Sequence, residues 1–213
     1  MHRDVERFNR WAPTYDQSLL RRRVFEPVHR TVLDLAAAEA ARPSAILDVG
    51  CGTGRLLRAA EDRFPGASLD GVDAAIEMVK EAERERPEGS RINFQTATAE
   101  HLPFPDGQFD LVFSTMTFHH WADQGKGIAE VRRVLKPDGR WLLADFSPAG
   151  LMRYVRRLFR FQRFRERKEL DLMLAAGGLK VMAERQVPGL RAQVPVLAIG
   201  LEKFREPTTI TAS

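Results

Sequence analysis

Cysteine is nearly absent from this chain: Cys51 is the only one in 213 residues. A lone thiol excludes an intrachain disulfide and any cysteine cluster for zinc. Long apolar runs are missing as well, and none approaches the roughly 20 residues that span a bilayer. The first residues, MHRDVERFNRW, are charged and lack the apolar core of a secretory signal, so the expected location is cytoplasmic. There is no RNP sequence or zinc finger, so no nucleic-acid partner is expected, and no metal site. Internal repeats and low-complexity segments are absent too.

What is present is ordinary for a globular protein: 44% hydrophobic and 29% charged residues. The length suits one α/β domain with a full core and is short for two, so 1–213 is expected to form a single domain. The net charge of +4 is modest but unevenly spread. Arg21-Arg22-Arg23 form one basic group, and the segment from Arg153 to Lys168 a denser one. Solvated helix faces are the preferred explanation of both.

The stretch AILDVGCGTGRLL, Ala45 to Leu57, organises the rest. Ala45-Ile46-Leu47 reads as a short buried strand, closed abruptly by Asp48 and glycines. Gly50, Cys51, Gly52, Thr53 and Gly54 then form a tight turn, with a helix beginning at Leu56-Leu57. Glycine at alternate positions admits positive φ and leaves no Cβ between backbone and ligand. The helix start aims free N–H groups and a positive dipole end into the same space. A dinucleotide pyrophosphate or the amino-acid end of S-adenosylmethionine (SAM) would suit such a turn. The G-x-G-x-G spacing, with Asp48 before it, departs from the G-x-G-x-x-G of nicotinamide sites.

Along the chain, residues 4–20 read as an amphipathic helix broken by Pro13, with Val5, Phe8, Trp11, Leu19 and Leu20 apolar. A helix from about Phe25 to Ala41 follows. Strands are expected at 44–49, 67–72, 91–96, 109–114 and 140–146. Helices are expected at 53–64, 74–86 and 127–135. Lys136-Pro137-Asp138-Gly139 reads as a turn. This alternation predicts a Rossmann-like α/β fold, a mainly parallel seven-stranded sheet with helices on both faces. Leu179 to Val187 and Val194 to Lys203 lack an intervening helix and are expected to pair as an antiparallel C-terminal hairpin. Ligands of such sheets sit at the carboxyl ends of the strands, which places 48–54, Asp73, 98–100 and 114–120 around one crevice, with 1–25 expected as an N-terminal cap segment over it. There Asp73 lies about 20 residues past the first glycine, placed to bind ribose hydroxyls or to cap the next helix.

Four blocks then carry a resemblance: LDVGCGTG at 47–54, GVDAAIEM at 71–78, AEHLPFPDGQFDLVFS at 99–114 and LKPDGRWLL at 135–143. The chain resembles a class I SAM-dependent methyltransferase of the small-molecule kind that includes ubiquinone/menaquinone C-methyltransferases. The resemblance implies SAM as cofactor and a small organic methyl acceptor, with a quinone precursor the sharper guess. By the same resemblance Gly50, Gly52 and Gly54 approach the methionine moiety, with Asp48 helping to hold it and Tyr15 folding over it. Asp73 would bind the ribose, and Ala74 and Met78 would border the adenine. Thr98 stands where many relatives carry an adenine-binding aspartate, with Glu100 a substitute and the Ala99 N–H reaching a ring nitrogen. Ser114 closes its strand near the SAM amino group, and Cys51 packs inside the turn rather than acting as nucleophile.

His119 and His120 follow that strand, where an acceptor faces the methyl group. One could serve as general base, although a pocket wall is the preferred reading of Phe118-His119-His120-Trp121. The insert 148–170, with its basic stretch 151–168, reads as an amphipathic helix. A lid ranks first for it, ahead of contact with an anionic membrane surface or a homodimer contact. Three other functions compete. A non-catalytic SAM-binding module stays open. A nicotinamide oxidoreductase is disfavoured by the glycine spacing, and arsenite methylation by the single cysteine.

Overall fold

Strand–helix alternation governs the computed structural model, which describes residues 2–17, 19–40, 42–147, 164–189 and 194–202. Helix α1 (His2–Trp11) leads through a 3₁₀ segment (Ala12–Gln17) into α2 (Leu19–Glu39). Then come β1 (Ala45–Val49), α3 (Arg55–Arg63), β2 (Ser68–Asp73), α4 (Ile76–Arg84), β3 (Ile92–Thr96) and β4 (Phe109–Thr115). A 3₁₀ turn (Phe118–His120), α5 (Gln124–Val134) and β5 (Leu135–Ala144) precede α6 (Arg167–Ala176), β6 (Leu179–Gln186) and β7 (Pro195–Leu201).

The seven strands lie in the order β3-β2-β1-β4-β5-β7-β6. All pairs from β3 to β5 are parallel. β7 runs antiparallel to both β5 and β6, so the final strands form the expected hairpin. Strand order reverses between β1 and β4, which opens a crevice at their carboxyl ends. Side-chain alternation splits the strands between two cores. Ile46, Phe113 and Leu142 pack with Val28, Val32 and Ala36 of α2 and Leu56 and Leu57 of α3. Leu47, Val112, Trp141 and Leu143 pack with Ile128 and Val131 of α5 and Leu174 of α6.

Two boundaries differ from the sequence expectation. α2 begins at Leu19 and runs through Pro27 rather than starting beside it. Only one internal N–H is lost there, and Thr31 Oγ donates to the Pro27 carbonyl at 2.8 Å. The Lys136–Gly139 sequence does not precede β5 but lies inside it. The register jumps from Phe109 opposite Leu135 to Leu111 opposite Arg140, so the turn residues form a bulge in the strand. Most of the basic insert, 148–163, lies outside the described residues. Among the described helices none is long and apolar enough to cross a membrane.

At the amino ends of the strands Asp110 joins three of them. Its Oδ2 accepts from Ser44 N–H (2.8 Å), Ser44 Oγ (2.7 Å), Ala45 N–H (3.0 Å) and Lys136 Nζ (2.9 Å). Burial, the largest single effect, would raise its pKa, but Lys136 and the Ser44 and Ala45 donors together outweigh it and hold it at about 2. A depressed carboxyl stabilises the fold above its unfolded value and loses that contribution as pH falls through the folded one. Asp110→Asn is therefore expected to lower Tm at pH 7 by roughly 2–4 °C. Thermal melts between pH 5 and 2 should show a shallower acid loss for the variant than for the wild type.

Candidate active site

The buried Asp48 lies one residue before the end of β1, and the chain then turns sharply with φ of 81° at Gly50, 53° at Gly52 and 77° at Gly54. The Gly50 and Cys51 N–H groups donate to Val72 O at 2.8 and 3.0 Å, which hangs the turn on the end of β2. Asp73, the last residue of β2, completes the attachment. Its Oδ2 accepts from Gly52 N–H at 2.9 Å and its Oδ1 from Ala75 N–H at 2.8 Å. Each oxygen keeps a second lone-pair direction for a ligand hydroxyl. Burial raises the pKa of Asp73 above the usual carboxylate value, while these two N–H bonds oppose the rise.

The three glycines do different work. A Cβ at Gly52 would meet nothing within 4 Å, because that side is open cleft. A Cβ at Gly50 would lie 2.1 Å from Thr117 Oγ1, so this glycine lets the loop after β4 close on the turn. At Gly54 it would lie 2.5 Å from the Phe94 ring, so Gly54 serves packing.

The cleft at these strand ends encloses about 810 Å³ including its open mouth. It gathers Tyr15, Gly50, Gly52, Asp73, Ala74, Met78, Thr98, Ala99 and His120 from the sequence expectation. A recess of about 460 Å³ shares Tyr15, Gly50 and Gly52 with it and takes in Asp48, Cys51, His29 and Arg55. In that recess Asp48 Oδ1 is buried with no hydrogen-bond partner. Burial first, and the Asp73 charge second, raise Asp48 to about 8. Burial likewise pushes the Cys51 thiol well up, so no reactive thiolate forms. His29 falls to about 4, through burial and then Arg55, and is neutral at pH 7.

Ser114 is not brought to the cleft. It is fully buried, and its Oγ accepts from Trp141 Nε1 at 3.1 Å. Strand parity hands the position to Thr115, which lines both spaces. Glu100 lines the cleft, but its Oε1 already accepts from Asp123 N–H at 3.0 Å, ahead of α5. The histidines part company. His120 lines the cleft, with its Nδ1 3.6 Å from Asp4 and its ring edge-on to Phe8 of α1. His119 stands behind it, with Nδ1 2.8 Å from Asp145 Oδ1 and its backbone N–H donating to Oδ2 at 2.9 Å. Its ring stacks on Phe164 at 4.2 Å. Burial, and then His119, lower His120 to about 4.

Sequence reasoning gave Asp145 no place in the site; Thr115, Met116 and Thr117 fall inside 114–120, expected at the crevice, and Asp4 inside the expected cap 1–25, but none had a role of its own. Met116 is the only described non-glycine residue with positive φ, at 56°, and no local residue signal announces it. Val5 and Phe8, seen as an apolar stripe, prove to be the face that α1 lays over the cleft. Asn9 fixes that helix, its Oδ1 accepting the Glu77 N–H of α4 at 3.1 Å.

Residues 47–143 match the family model described as a methyltransferase domain. A demethylmenaquinone methyltransferase of Thermus thermophilus is 39% identical over 73% of this chain and 72% of the relative. The chain belongs to the class I SAM-dependent methyltransferases. A malonyl-[acyl-carrier protein] O-methyltransferase of Geobacter sulfurreducens is 40% identical over 66% of this methyltransferase. There the chain spans about half of the relative, 51% of its length. The crystal structure of YcgJ from Bacillus subtilis superposes with a TM-score of 0.66 at 26% identity, covering 84% of this chain and all of that one.

Asp48 gives this methyltransferase a pH signature. A folded carboxyl raised to about 8 from an unfolded value near 3.8 costs stability progressively from pH 4 upward, as the unfolded chain ionises and the folded one does not. Asp48→Asn should remove that slope, raising Tm at pH 8 by a few degrees. The same variant should bind S-adenosylhomocysteine at least about tenfold more weakly. Calorimetry in buffers of different ionisation heat should also detect proton release when the wild type binds this amino-acid nucleoside at pH 7.

Proposed function

We propose that this chain moves the methyl group of SAM to a small organic acceptor at oxygen, nitrogen or carbon, with 1–213 acting as one domain. The observation that carries the reading is the buried Asp48 oxygen, unpartnered beside a glycine turn that is open at Gly52. A buried acid in that state calls for a cation, and the ligand's ammonium supplies one. Arg55, on the wall of the same recess, matches the carboxylate of the same zwitterion. Asp73 would hold the ribose hydroxyls, with Ala74, Met78, Thr98 and Ala99 around the adenine. The residues therefore fit the cofactor. When bound, it supplies an electrophilic methyl carbon whose bond to sulfur breaks as the acceptor's lone pair attacks, the bonding electrons staying on sulfur.

The chain's own contribution is to orient, to exclude water and to take a proton. Tyr15 and the Val5 and Phe8 face of α1 cover the site. For an acceptor with a proton to lose, we assign Nε2 of His119 as the base. Asp145 holds the proton on Nδ1, which leaves the Nε2 lone pair to act, and stabilises the imidazolium that results. His120, at about 4, holds a proton too weakly for the task and serves as a wall. A quinone precursor is the finer reading, supported by the Thermus relative.

Calorimetric titration should show binding of SAM and S-adenosylhomocysteine and none of NADH. Labelled methyl should pass from SAM to an acceptor, with demethylated quinols tried first. Binding without any turnover across an acceptor panel would instead leave a SAM-binding module. His119→Ala is expected to lower kcat by about 10²–10⁴ on a protic acceptor while sparing S-adenosylhomocysteine binding. Asp145→Asn should shift the pH–rate profile. Equal losses from His119→Ala and His120→Ala would remove the assignment of the base.

A further inference from the structure

A second hollow, of about 700 Å³ including its open mouth, shares no lining residue with the cleft or the recess. Its floor is apolar, formed by the buried side chains of Phe118, Leu143, Leu170 and Leu197. Its rim is charged, carrying Asp145, Arg165, Arg167 and Glu184.

Two of those four charges, Arg167 and Glu184, meet opposite charge, and Asp145 is satisfied by three donors of the fold. Asp145 accepts from His119 Nδ1, His119 N–H and Phe146 N–H, the last at 2.7 Å. Arg167 pairs with Asp171 at 2.8 Å and with Glu184, which also accepts from Gln186 Nε2 at 2.8 Å. Arg165 differs. Among the described residues its guanidinium meets only a neutral group, the Gln124 Oε1 that accepts from its Nε at 2.6 Å. Gln124 is itself buried and donates through Nε2 to the Phe118 carbonyl at 3.0 Å, so the guanidinium is held in place by a fixed amide. An oriented guanidinium with no counter-charge, above an apolar floor, recognises an acid group on an apolar body. Among the described residues, this one guanidinium without an opposite charge suits a single carboxylate.

We infer that this hollow binds a carboxylate on an apolar body, with Arg165 receiving the carboxylate, and that it holds the non-reacting end of the methyl acceptor. The second clause rests on the methyltransferase reading; the first does not. Geometry links hollow and chemistry through one ring. Asp145 lines the hollow and bonds His119, whose ring is 3.9 Å from that of His120 in the cleft. Phe164, stacked on His119, is the residue next to Arg165. An acceptor anchored at Arg165 thus lies beside the base, and acid-bearing acceptors form a stricter class than neutral quinones.

The test is titration of the full chain with 2-naphthoate and with its neutral counterpart, 2-naphthamide. Naphthoate should bind tighter than the amide by about tenfold, the worth of one charge-assisted hydrogen bond. Arg165→Met should erase that preference, and Lys168→Met, at an exposed cation outside the hollow, should keep it. Equal binding of the two probes, binding of neither, or a preference that survives Arg165→Met would overturn the site. S-adenosylhomocysteine titrated into the same samples reports folding of each variant. Its failure to bind wild type would sink the methyltransferase reading and the acceptor clause, while the naphthoate result would still decide the hollow.

Discussion

The carboxylate of Asp73 is the constraint on which the site depends. Its two oxygens reach backbone N–H groups on either side of the crevice, Gly52 in the turn after β1 and Ala75 at the start of α4. A turn with three residues at positive φ has no helix or ladder to define its path. Here it is defined from the neighbouring strand, by Val72 O below and Asp73 beside it. The acid is thereby buried at a cost that two N–H bonds offset in part, and it remains available to a ligand's hydroxyls. One group thus anchors both the turn and the entry to α4, and losing it would displace the glycines.

Asp48 shows the opposite economy. It stands on β1 with Ile46 on its own face, in a position whose strand parity points into the α2–α3 core. An apolar residue there would make a more stable fold. Instead an unpartnered oxygen sits in the recess, and the neighbouring Asp73 charge makes ionisation harder still. The two acids are both buried, yet one is satisfied by the fold and the other is not. Satisfied groups build the pocket, and the unsatisfied one gives it an appetite for positive charge.

Much of this was legible because it is local. A strand closed by glycines, an acid at the next strand end and Pro/Gly punctuation each occupy a few consecutive residues. What escaped depends on parity or on distant partners. Ser114 and Thr115 are equally polar, and only the pleat register against β1 and β5 decides which faces Trp141 and which faces the cleft. Gly54 belongs to the same motif as Gly52 but meets Phe94 from β3, a contact that spacing along the chain does not encode. The Lys136–Gly139 sequence has turn chemistry and does turn, but as a bulge inside β5, because Phe109 and Leu135 still pair beyond it. The second helix was expected from about Phe25, yet it starts at Leu19 and contains Pro27. The proline is tolerated mid-helix because α2 is held by its buried face, Val28, Val32 and Ala36, rather than by one backbone bond.

The two histidines show why adjacency in sequence does not mean equivalence in chemistry. On a 3₁₀ turn successive side chains diverge by about 120°, so His120 enters the cleft while His119 turns toward the end of β5. Burial without a close counter-charge strips His120 of basicity, since Asp4 is 3.6 Å away across the mouth. His119 has the carboxylate of Asp145 at 2.8 Å, and that carboxylate is itself fixed by two backbone N–H groups, those of His119 and Phe146. A positive charge formed on His119 is therefore met at once, and one formed on His120 would also be repelled by its neighbour. This contrast is what supports the proposal of His119, rather than His120, as the base. An acceptor that must deliver its proton there has to reach past His120, toward the side of the sheet where Asp145 and Arg165 stand.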